Sequence, residues 1–345
     1  MPLRQPDLPR HHAGAEGARR RARHRLTSAA LVDTRQHLHW GAEALWRALL
    51  PLLPGLSVEV VARIDSTNTR LLERARESSG APDARVTRPG ELDALAGRGD
   101  EVTPHGRRQV DVQPCLLVAE HQTHGRGRQG RDWVATAGAS LTFSLALPLA
   151  PADWSGLSLA VGLALADALD PLPDIGPALA VGADALPRIG LKWPNDLWLL
   201  DAPGRGRKLG GILIETVSVG PRRMCVVGVG LNVLPQPVSG LSNGYACLQE
   251  LDPAVTAPVA LARVAAPLVQ ALLRFEREGF APRVDAYARR DLLRGQVVTT
   301  TLPALPEGVA EGVDERGALR LRRDGLHELV SGEVSVRLRP APEAG

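Results

Sequence analysis

The chain has 345 residues, of which 44% are hydrophobic, and its formal net charge is +3. This length and composition predict one large globular domain with a small second one. Residues 1–30 contain seven arginines and two acids, so residues 31–345 carry a net charge of about −2, which does not favour a general nucleic-acid binder. No apolar run reaches the ~20 residues of a membrane span, and three cysteines without paired metal-site spacing indicate a reducing, cytoplasmic setting.

Lysine and asparagine are both scarce. The chain has 39 arginines but only two lysines, Lys192 and Lys208, and four asparagines, Asn68, Asn195, Asn232 and Asn243. Arginine serves as well as lysine for solubility, so we expect the remaining lysines where a compact ammonium is needed instead of a planar fork. The scarcity therefore singles out two short stretches as functional candidates.

The first part of the chain reads as a tail followed by a helix and a strand. Residues 1–35 are Arg-rich and predict a solvated, disordered tail, too short for a winged helix-turn-helix domain. The apolar spacing from Trp40 to Leu53 is helical, and Ser57–Ala62 alternates like a strand. Asp65 or Ser66 can then cap a second helix. The Gly/Pro-rich stretch 78–113 predicts a long surface insertion.

A loop of alternating arginine and glycine, residues 120–133, follows the apolar strand predicted at Cys115–Ala119. Glycine lets backbone approach a ligand, and arginine donates to phosphate and carboxylate. A solvated Arg/Gly linker is the competing interpretation. The Walker pattern is absent from the sequence, which excludes a P-loop NTPase.

The rest of the chain predicts a mixed sheet with helices and then a small β domain. Strands are expected at Leu141–Leu147, Ile189–Trp193, Leu197–Leu200, Leu209–Val217 and Cys225–Val233, and helices at Leu157–Leu169, Pro258–Glu278 and Pro282–Leu293. Gly228 and Gly230 inside a β-branched strand suggest that a ligand or neighbouring backbone comes close. Short β runs after Gly295, at Val297–Leu302, Leu319–Arg322 and Val334–Leu338, indicate a separate barrel, which gives predicted domains at 36–293 and 294–341.

Five stretches resemble, in the same order, the biotin–protein ligases. They are Asp65-Ser66-Thr67-Asn68, Gln122 with Gly125-Arg126-Gly127-Arg128-Gln129-Gly130-Arg131, Lys192-Trp193-Pro194-Asn195-Asp196, Lys208-Leu209-Gly210-Gly211-Ile212-Leu213, and Gly228-Val229-Gly230-Leu231-Asn232. The resemblance covers about residues 57–338. It implies an α/β (α+β) class II synthetase-like catalytic domain, with a mixed sheet and flanking helices, and a C-terminal SH3-like β barrel. It also implies the family reaction: biotin and Mg-ATP form biotinyl-5′-adenylate, which then acylates one lysine of a biotin carboxyl carrier domain.

The resemblance implies a role for each matching residue. Lys208, Arg126 and Arg128 would be catalytic, Lys208 as the point charge between the biotin carboxylate and the α-phosphate. Biotin would bind to Ser66, Thr67, Asn68, Gln122, Gly125, Arg126, Gly127, Arg128, Lys208 and Gly210. ATP would bind to Arg128, Arg131, Trp133, Lys192, Asn195 and Asn232, with Mg²⁺ held by Asp196 directly or through water.

Several alternatives stay open at this stage. Helix capping accounts for Ser66, Thr67 and Asn68 as well as ligand binding does, and a strand-end turn competes for Asn232. For Trp193, core packing is favoured over ligand contact. His124 and Gln129 depart from the family pattern in the loop.

Competing functions are a lipoate–protein ligase or octanoyltransferase of the related fold and, more remotely, a non-catalytic nucleic-acid binder. The Arg/Gly loop and the C-terminal barrel favour biotin. The expected partner is the carrier domain of acetyl-CoA carboxylase or another biotin-dependent carboxylase, with no membrane involved. No DNA regulation is expected because the N-terminal repressor domain of bifunctional members has no counterpart in the sequence. A homodimer is left open.

Overall fold

The computed structural model describes residues 38–79, 86–87, 113–172, 187–238, 243–330 and 336–338. The helices are α1 (Ala42–Leu49), α2 (Thr67–Ser79), α3 (Leu157–Leu169), α4 (Ala257–Glu278) and α5 (Val284–Ala288). The strands of the first half are β1 (Ser57–Ile64), β2 (Val86–Thr87), β3 (Cys115–Gln122), β4 (Gly125–Arg126), β5 (Asp132–Trp133), β6 (Ser140–Pro148) and β7 (Ile189–Lys192). The remaining strands are β8 (Asp196–Ala202), β9 (Arg205–Val219), β10 (Arg222–Asn232), β11 (Val297–Thr300), β12 (Glu307–Val313), β13 (Leu319–Arg322), β14 (Leu326–Leu329) and β15 (Val336–Leu338).

A mixed eight-stranded sheet forms the centre, in the order β1-β3-β6-β10-β9-β8-β7, with β2 paired to β9. Strands β1 and β3 are parallel, and the other neighbours are antiparallel. Both faces are covered, which explains the nearly continuous apolar runs of the strands. In β3, Leu116 and Val118 pack in the core that contains α1, α3 and α4, whereas Cys115 and Leu117 pack in the core under α2.

The C-terminal strands form a five-stranded antiparallel sheet in the order β14-β13-β12-β11-β15. The predicted small β domain is therefore present as a sheet, but its core is continuous with the central one. The Trp193 side chain is fully buried, and its Nε1 donates to the carbonyl of Gly317 in the C-terminal part (3.0 Å). Core packing, the favoured interpretation of Trp193, is what the structure shows.

An ion-pair cluster around the buried side chain of Arg290 joins the end of α3 to β7. The Arg290 side chain is fully buried and donates to Asp167 Oδ1 (2.9 Å), Asp170 Oδ2 (3.1 Å) and the carbonyl of Ile189 (3.0 Å). Asp170 Oδ2 also accepts from the backbone amides of Arg188 (2.9 Å) and Ile189 (3.0 Å). These hydrogen bonds hold residues 170 and 188 next to each other.

Several sequence expectations need correction. The helix expected at Pro282–Leu293 is α-helical only over Val284–Ala288, and the helix expected from Trp40 is shorter. β12 and β14 were not foreseen. By length and composition alone α4 could cross a membrane, but its apolar residues are buried in the core, as in a core helix. Residues 1–35 and most of the predicted insertion lie outside the described residues, apart from β2, which pairs with β9.

Candidate active site

A cavity of about 340 Å³ opens beside the middle of β9 and β10. Two glycines of β10 make room for the side chains that line it. A Cβ on Gly228 would come within 2.2 Å of Asn68 Oδ1, and a Cβ on Gly230 within 2.4 Å of Trp133 Cε2. Close approach at these glycines was expected, but the partners are side chains and not backbone.

Buried polar side chains form one end of the cavity. Ser66, Thr67, Asn68 and Gln122 are each at most 8% exposed. Gln122 Oε1 accepts from the Thr67 amide (2.7 Å) and from Thr67 Oγ1 (3.0 Å). Ser66 Oγ accepts a long bond from the Thr69 amide (3.4 Å), so helix capping contributes at Ser66. Thr67 and Asn68 instead contact other strands, which capping alone does not explain.

Asn68 connects this end of the cavity to the sheet. Its Nδ2 donates to the Leu213 carbonyl and to Glu215 Oε2, both at 3.1 Å. Its Oδ1 accepts from Ser144 Oγ (2.6 Å), and Ser144 Oγ also lies 2.7 Å from Thr67 Oγ1. These contacts give hydrogen-bond partners to buried groups that would otherwise be costly to desolvate.

The Arg/Gly loop is an ordered hairpin, which disfavours the linker interpretation. Gly125 and Arg126 pair with Asp132 and Trp133, and a Cβ on Gly125 would lie 2.3 Å from the Trp133 carbonyl oxygen. At the tip Gln129 adopts a left-handed φ of 56°, uncommon for a residue other than glycine.

Side chains of the loop contact the sheet and one another. Arg126 is ion-paired with Glu215 of β9, which is only 2% exposed. Gln129 departs from the family pattern, and its Oε1 accepts a hydrogen bond from Arg131 Nη2 within the loop (3.2 Å). His124 is exposed; its Nδ1 lies 3.0 Å from Thr123 Oγ1, and its amide donates to the Asp65 carbonyl (2.9 Å).

Lys208 brings positive charge to the centre of the cavity. Its Nζ donates to Asp196 Oδ1 (2.8 Å) and lies 6.0 Å from the centre of the Trp133 ring. Ion pair and ring together hold the ammonium in place while leaving its other donors open to a ligand.

Lys192, the other lysine, lines a smaller neighbouring cavity. It is 8% exposed, and its Nζ is 5.6 Å from the centre of the Trp198 ring. Burial lowers the pKa of Lys192, Asp196 opposes this, and the nearby charges of Lys208, Arg131 and Arg337 lower it further. This concentration of cations suits a polyanionic ligand such as a triphosphate.

Asp196 is the sole carboxylate predicted to hold metal. The described residues contain no group of three or more His, Cys, Asp or Glu side chains that could hold a metal ion. Mg²⁺ is commonly held by one or two carboxylates together with substrate phosphates and water. A single aspartate therefore fits a magnesium ion that arrives with ATP, and does not make an all-protein metal site.

The end of the cavity that is predicted to bind ATP contains the amides of Asn195 and Asn232 and the ring of Tyr245. Asn195 Nδ2 donates to the Ile212 carbonyl (2.8 Å), and Asn232 Nδ2 donates to the carbonyls of Ala246 (2.9 Å) and Lys208 (3.3 Å). The competing structural interpretation of Asn232 is thus supported for its amide nitrogen. Tyr245 lines the cavity and donates to the Leu234 carbonyl (2.6 Å), and burial raises the pKa of its hydroxyl to about 12.

Most of the predicted site residues come together in this cavity. Those that line it are Ser66, Thr67, Asn68, Gln122, Arg126, Gly127, Arg128, Arg131, Trp133, Asn195, Asp196, Lys208 and Asn232.

Three predicted residues lie outside the cavity wall. Gly125 packs against the Trp133 backbone, Gly210 against Leu231 and the Gly230 carbonyl, and Lys192 lines a smaller neighbouring cavity. The two glycines allow neighbouring chain segments to pack closely, and Lys192 places a buried charge next to the cavity.

Sequence reasoning missed Ser144, Glu215 and Tyr245. Glu215 had a signal, since it is the single charged residue in the apolar stretch from Leu209 to Val217. Ser144 and Tyr245 had none, because only the sheet register and a distant loop bring them to the site.

Comparison with known proteins identifies the family. Residues 110–232 match the Biotin/lipoate A/B protein ligase family, and residues 295–337 match the Biotin protein ligase C terminal domain. A Biotin--[acetyl-CoA-carboxylase] ligase of Mycobacterium tuberculosis is 34% identical over 87% of this chain and 92% of its own length. The Bifunctional ligase/repressor BirA of Escherichia coli is 33% identical over 84% of this chain and 77% of its own length.

A solved structure shares the fold. It is the biotin protein ligase from Aquifex aeolicus in complex with biotin and ATP, which superposes with a TM-score of 0.57 at 23% identity, over 83% of this chain and all of that one. The matched models, the relatives and the fold agree with one another. The chain belongs to the biotin–protein ligases of the Biotin/lipoate A/B protein ligase family.

Proposed function

We propose that this chain joins biotin to ATP in the cavity, forming biotinyl-5′-adenylate and pyrophosphate, and then transfers the biotinyl group to a carrier lysine. The observation that supports this most directly is the pairing of two ends in one cavity. One end has buried hydroxyl and amide groups around Thr67 and Gln122, and the other has the cation Lys208, with the charge of the buried Lys192 behind it.

Biotin fits the first end because its ureido ring needs hydrogen-bond partners when it leaves water. Ser66, Thr67, Asn68 and Gln122 offer acceptors and donors that are already held by their neighbours. Preformed groups of this kind spend little conformational entropy when the ligand binds.

In the first step, an oxygen of the biotin carboxylate attacks the α-phosphorus of ATP, and the bond to the β-phosphate breaks. Two anions must approach, so alignment and positive charge are the main contributions that protein can make. Lys208, held by Asp196, is the point charge between them, and Arg126 and Arg128 of the loop close on the carboxylate and the phosphates. Asp196 would hold a magnesium ion that arrives with ATP, and the ion would neutralise phosphate charge.

In the second step, the neutral amine of the carrier lysine attacks the acyl carbon of the adenylate, AMP leaves and the amine loses a proton. The positive charge that stabilised the phosphate in the first step also favours departure of AMP. We propose the carrier domain of acetyl-CoA carboxylase as the acceptor, because relatives are named for that enzyme. Residues 36–293 would form the catalytic domain and residues 294–341 a C-terminal domain.

The test is incubation of the protein with biotin, ATP, Mg²⁺ and a carrier domain, followed by intact mass measurement of the carrier. We expect one biotinyl group on one lysine, and no modification without ATP or when that lysine is replaced by arginine. Lipoate in place of biotin is the matched control. Equal or faster lipoylation would overturn the choice of substrate, and an unmodified carrier would overturn the proposed activity.

A further inference from the structure

A buried carboxylate lies directly behind the cavity, on the middle of β9. Glu215 is 2% exposed within an apolar strand, an expensive place for a negative charge unless it is paired and hydrogen-bonded. Both of its oxygens have partners. Oε1 accepts from the guanidinium of Arg126 in the loop, and Oε2 accepts from Asn68 Nδ2 at 3.1 Å.

These contacts belong to a connected series of polar groups. From Glu215 the contacts run through Asn68 and Ser144 to Thr67, whose amide donates to Gln122 Oε1. Gln122 is the last residue of β3, and three residues further on the chain reaches the β4 strand that contains Arg126. The loop arginine is therefore connected twice to the biotin end of the cavity, once through the backbone and once through Glu215.

The two side chains of the Arg126–Glu215 pair differ in how exposed they are and in the elements that contain them. The Arg126 side chain is 40% exposed and sits in a hairpin of two-residue strands, whereas the Glu215 side chain is 3% exposed on a strand of the central sheet that pairs there with β10. The strand fixes the carboxylate, and the carboxylate fixes the arginine. A guanidinium has five N–H donors, so donors remain for a substrate carboxylate after Glu215 is bound.

We propose that Glu215 is a positioning residue, which holds Arg126 over the biotin end of the cavity before substrate arrives. The proposal rests on the proposed function, in which Arg126 contacts the biotin carboxylate. Without the negative charge of Glu215, Arg126 is free to turn into water, and binding biotin must bring it back. The cost then appears in the affinity for biotin and not in that for ATP.

Glu215→Gln tests this, because glutamine keeps the size and the acceptor for Asn68 but removes the charge. In a pyrophosphate-release assay we expect the KM for biotin to rise by at least ~10-fold, the effect of losing a charge-assisted hydrogen bond. The KM for ATP should stay within about 2-fold, the scale of unimportant changes. Glu311→Gln is the control, since it removes the charge of another Arg–Glu pair, in the C-terminal sheet.

The same substitution in an Arg126→Ala background separates positioning from a general effect on the fold. If Glu215 acts through Arg126, Glu215→Gln costs little more once Arg126 is gone. Equal losses in both backgrounds, or equal rises in both KM values, would overturn the proposal.

Thermal unfolding without substrates gives an independent arm. Arg126→Ala leaves Glu215 buried without its cation and should lower the midpoint, and adding Glu215→Gln should restore it. An additive loss would refute the pairing. This arm remains decisive if the wild type makes no adenylate, a result that would refute only the proposed function.

Discussion

Replacing Asp291 with asparagine should stabilise the protein at neutral pH. Asp291 lies where β7 meets the C-terminal part of the chain, next to the backbone bonds between Leu191 and residues 290 and 292. Its Oδ1 accepts from the Leu293 amide (2.9 Å), but its Oδ2 has no hydrogen-bond partner among the residues that the structure describes. Burial raises the pKa of the Asp291 carboxyl from 3.8 to about 6.

The size of the effect follows from this pKa. A folded-state pKa raised by about 2 corresponds to about 3 kcal/mol of lost stability once the group is charged in both states. The folded protein binds the proton more tightly, so the penalty is absent below about pH 3.8, grows up to about pH 6 and stays constant above it. Asparagine resembles the protonated carboxyl and avoids the penalty at every pH.

Urea unfolding of wild type and Asp291→Asn at pH 8, 6 and 4 measures the difference. We expect the variant to be more stable by up to about 3 kcal/mol at pH 8, with the two proteins converging at pH 4. Asp285→Asn, at an exposed position of α5, is the control and should show no such pH dependence. A difference that does not change with pH, or a variant less stable at pH 8, would refute the reasoning.

Three further predictions concern the cavity. Lys208→Arg should keep biotin binding but slow adenylate formation by at least ~100-fold, because a guanidinium is broader than the ammonium and separates the reacting groups; pyrophosphate release within a few-fold of wild type would contradict this. Arg128→Ala should release biotinyl-adenylate and label lysines of a bystander protein such as albumin, and unchanged retention of the adenylate would count against a role in closing the loop. Gly230→Ala places a Cβ 2.4 Å from Trp133 Cε2 and should raise the KM for ATP by ~10-fold or more through displacement of the ring, whereas Gly325→Ala, with open space around it, should be silent. Equal KM values in these two variants would show that the Trp133 position is unimportant.

The sequence was most informative where local pattern and tertiary environment agree. The strand that begins at Cys115 and the strand around Leu209 are buried on both faces, so continuous apolar runs reveal them. β12 was missed because its sequence, Glu307–Val313, has two glycines and two acids and only alternate positions are buried. The helix predicted to continue to Leu293 ends early because the carbonyl of Arg290 accepts from the Leu191 amide, a contact that no local pattern reveals.

The residues of the candidate site could be grouped from their sequence motifs. The partner residues that hold their side chains in place could not be predicted. Lys208 stood out by its rarity, whereas its partner Asp196 is set by the pairing of β8 with β9. The Arg126–Glu215 pair joins residues 89 positions apart. Such pairs depend on sheet register, which a single sequence does not specify.

The Asp170–Arg290 cluster has a consequence for engineering. Asp170 accepts from the amides of Arg188 and Ile189, and Arg290 binds both Asp170 and the Ile189 carbonyl, so residues 170 and 188 are anchored next to each other. Extending a connection between fixed ends costs only about 0.6 kcal/mol for each doubling of its length. We therefore expect residues 173–186 to accept a fluorescent protein or a targeting peptide, with carrier labelling by the fusion as the measurement.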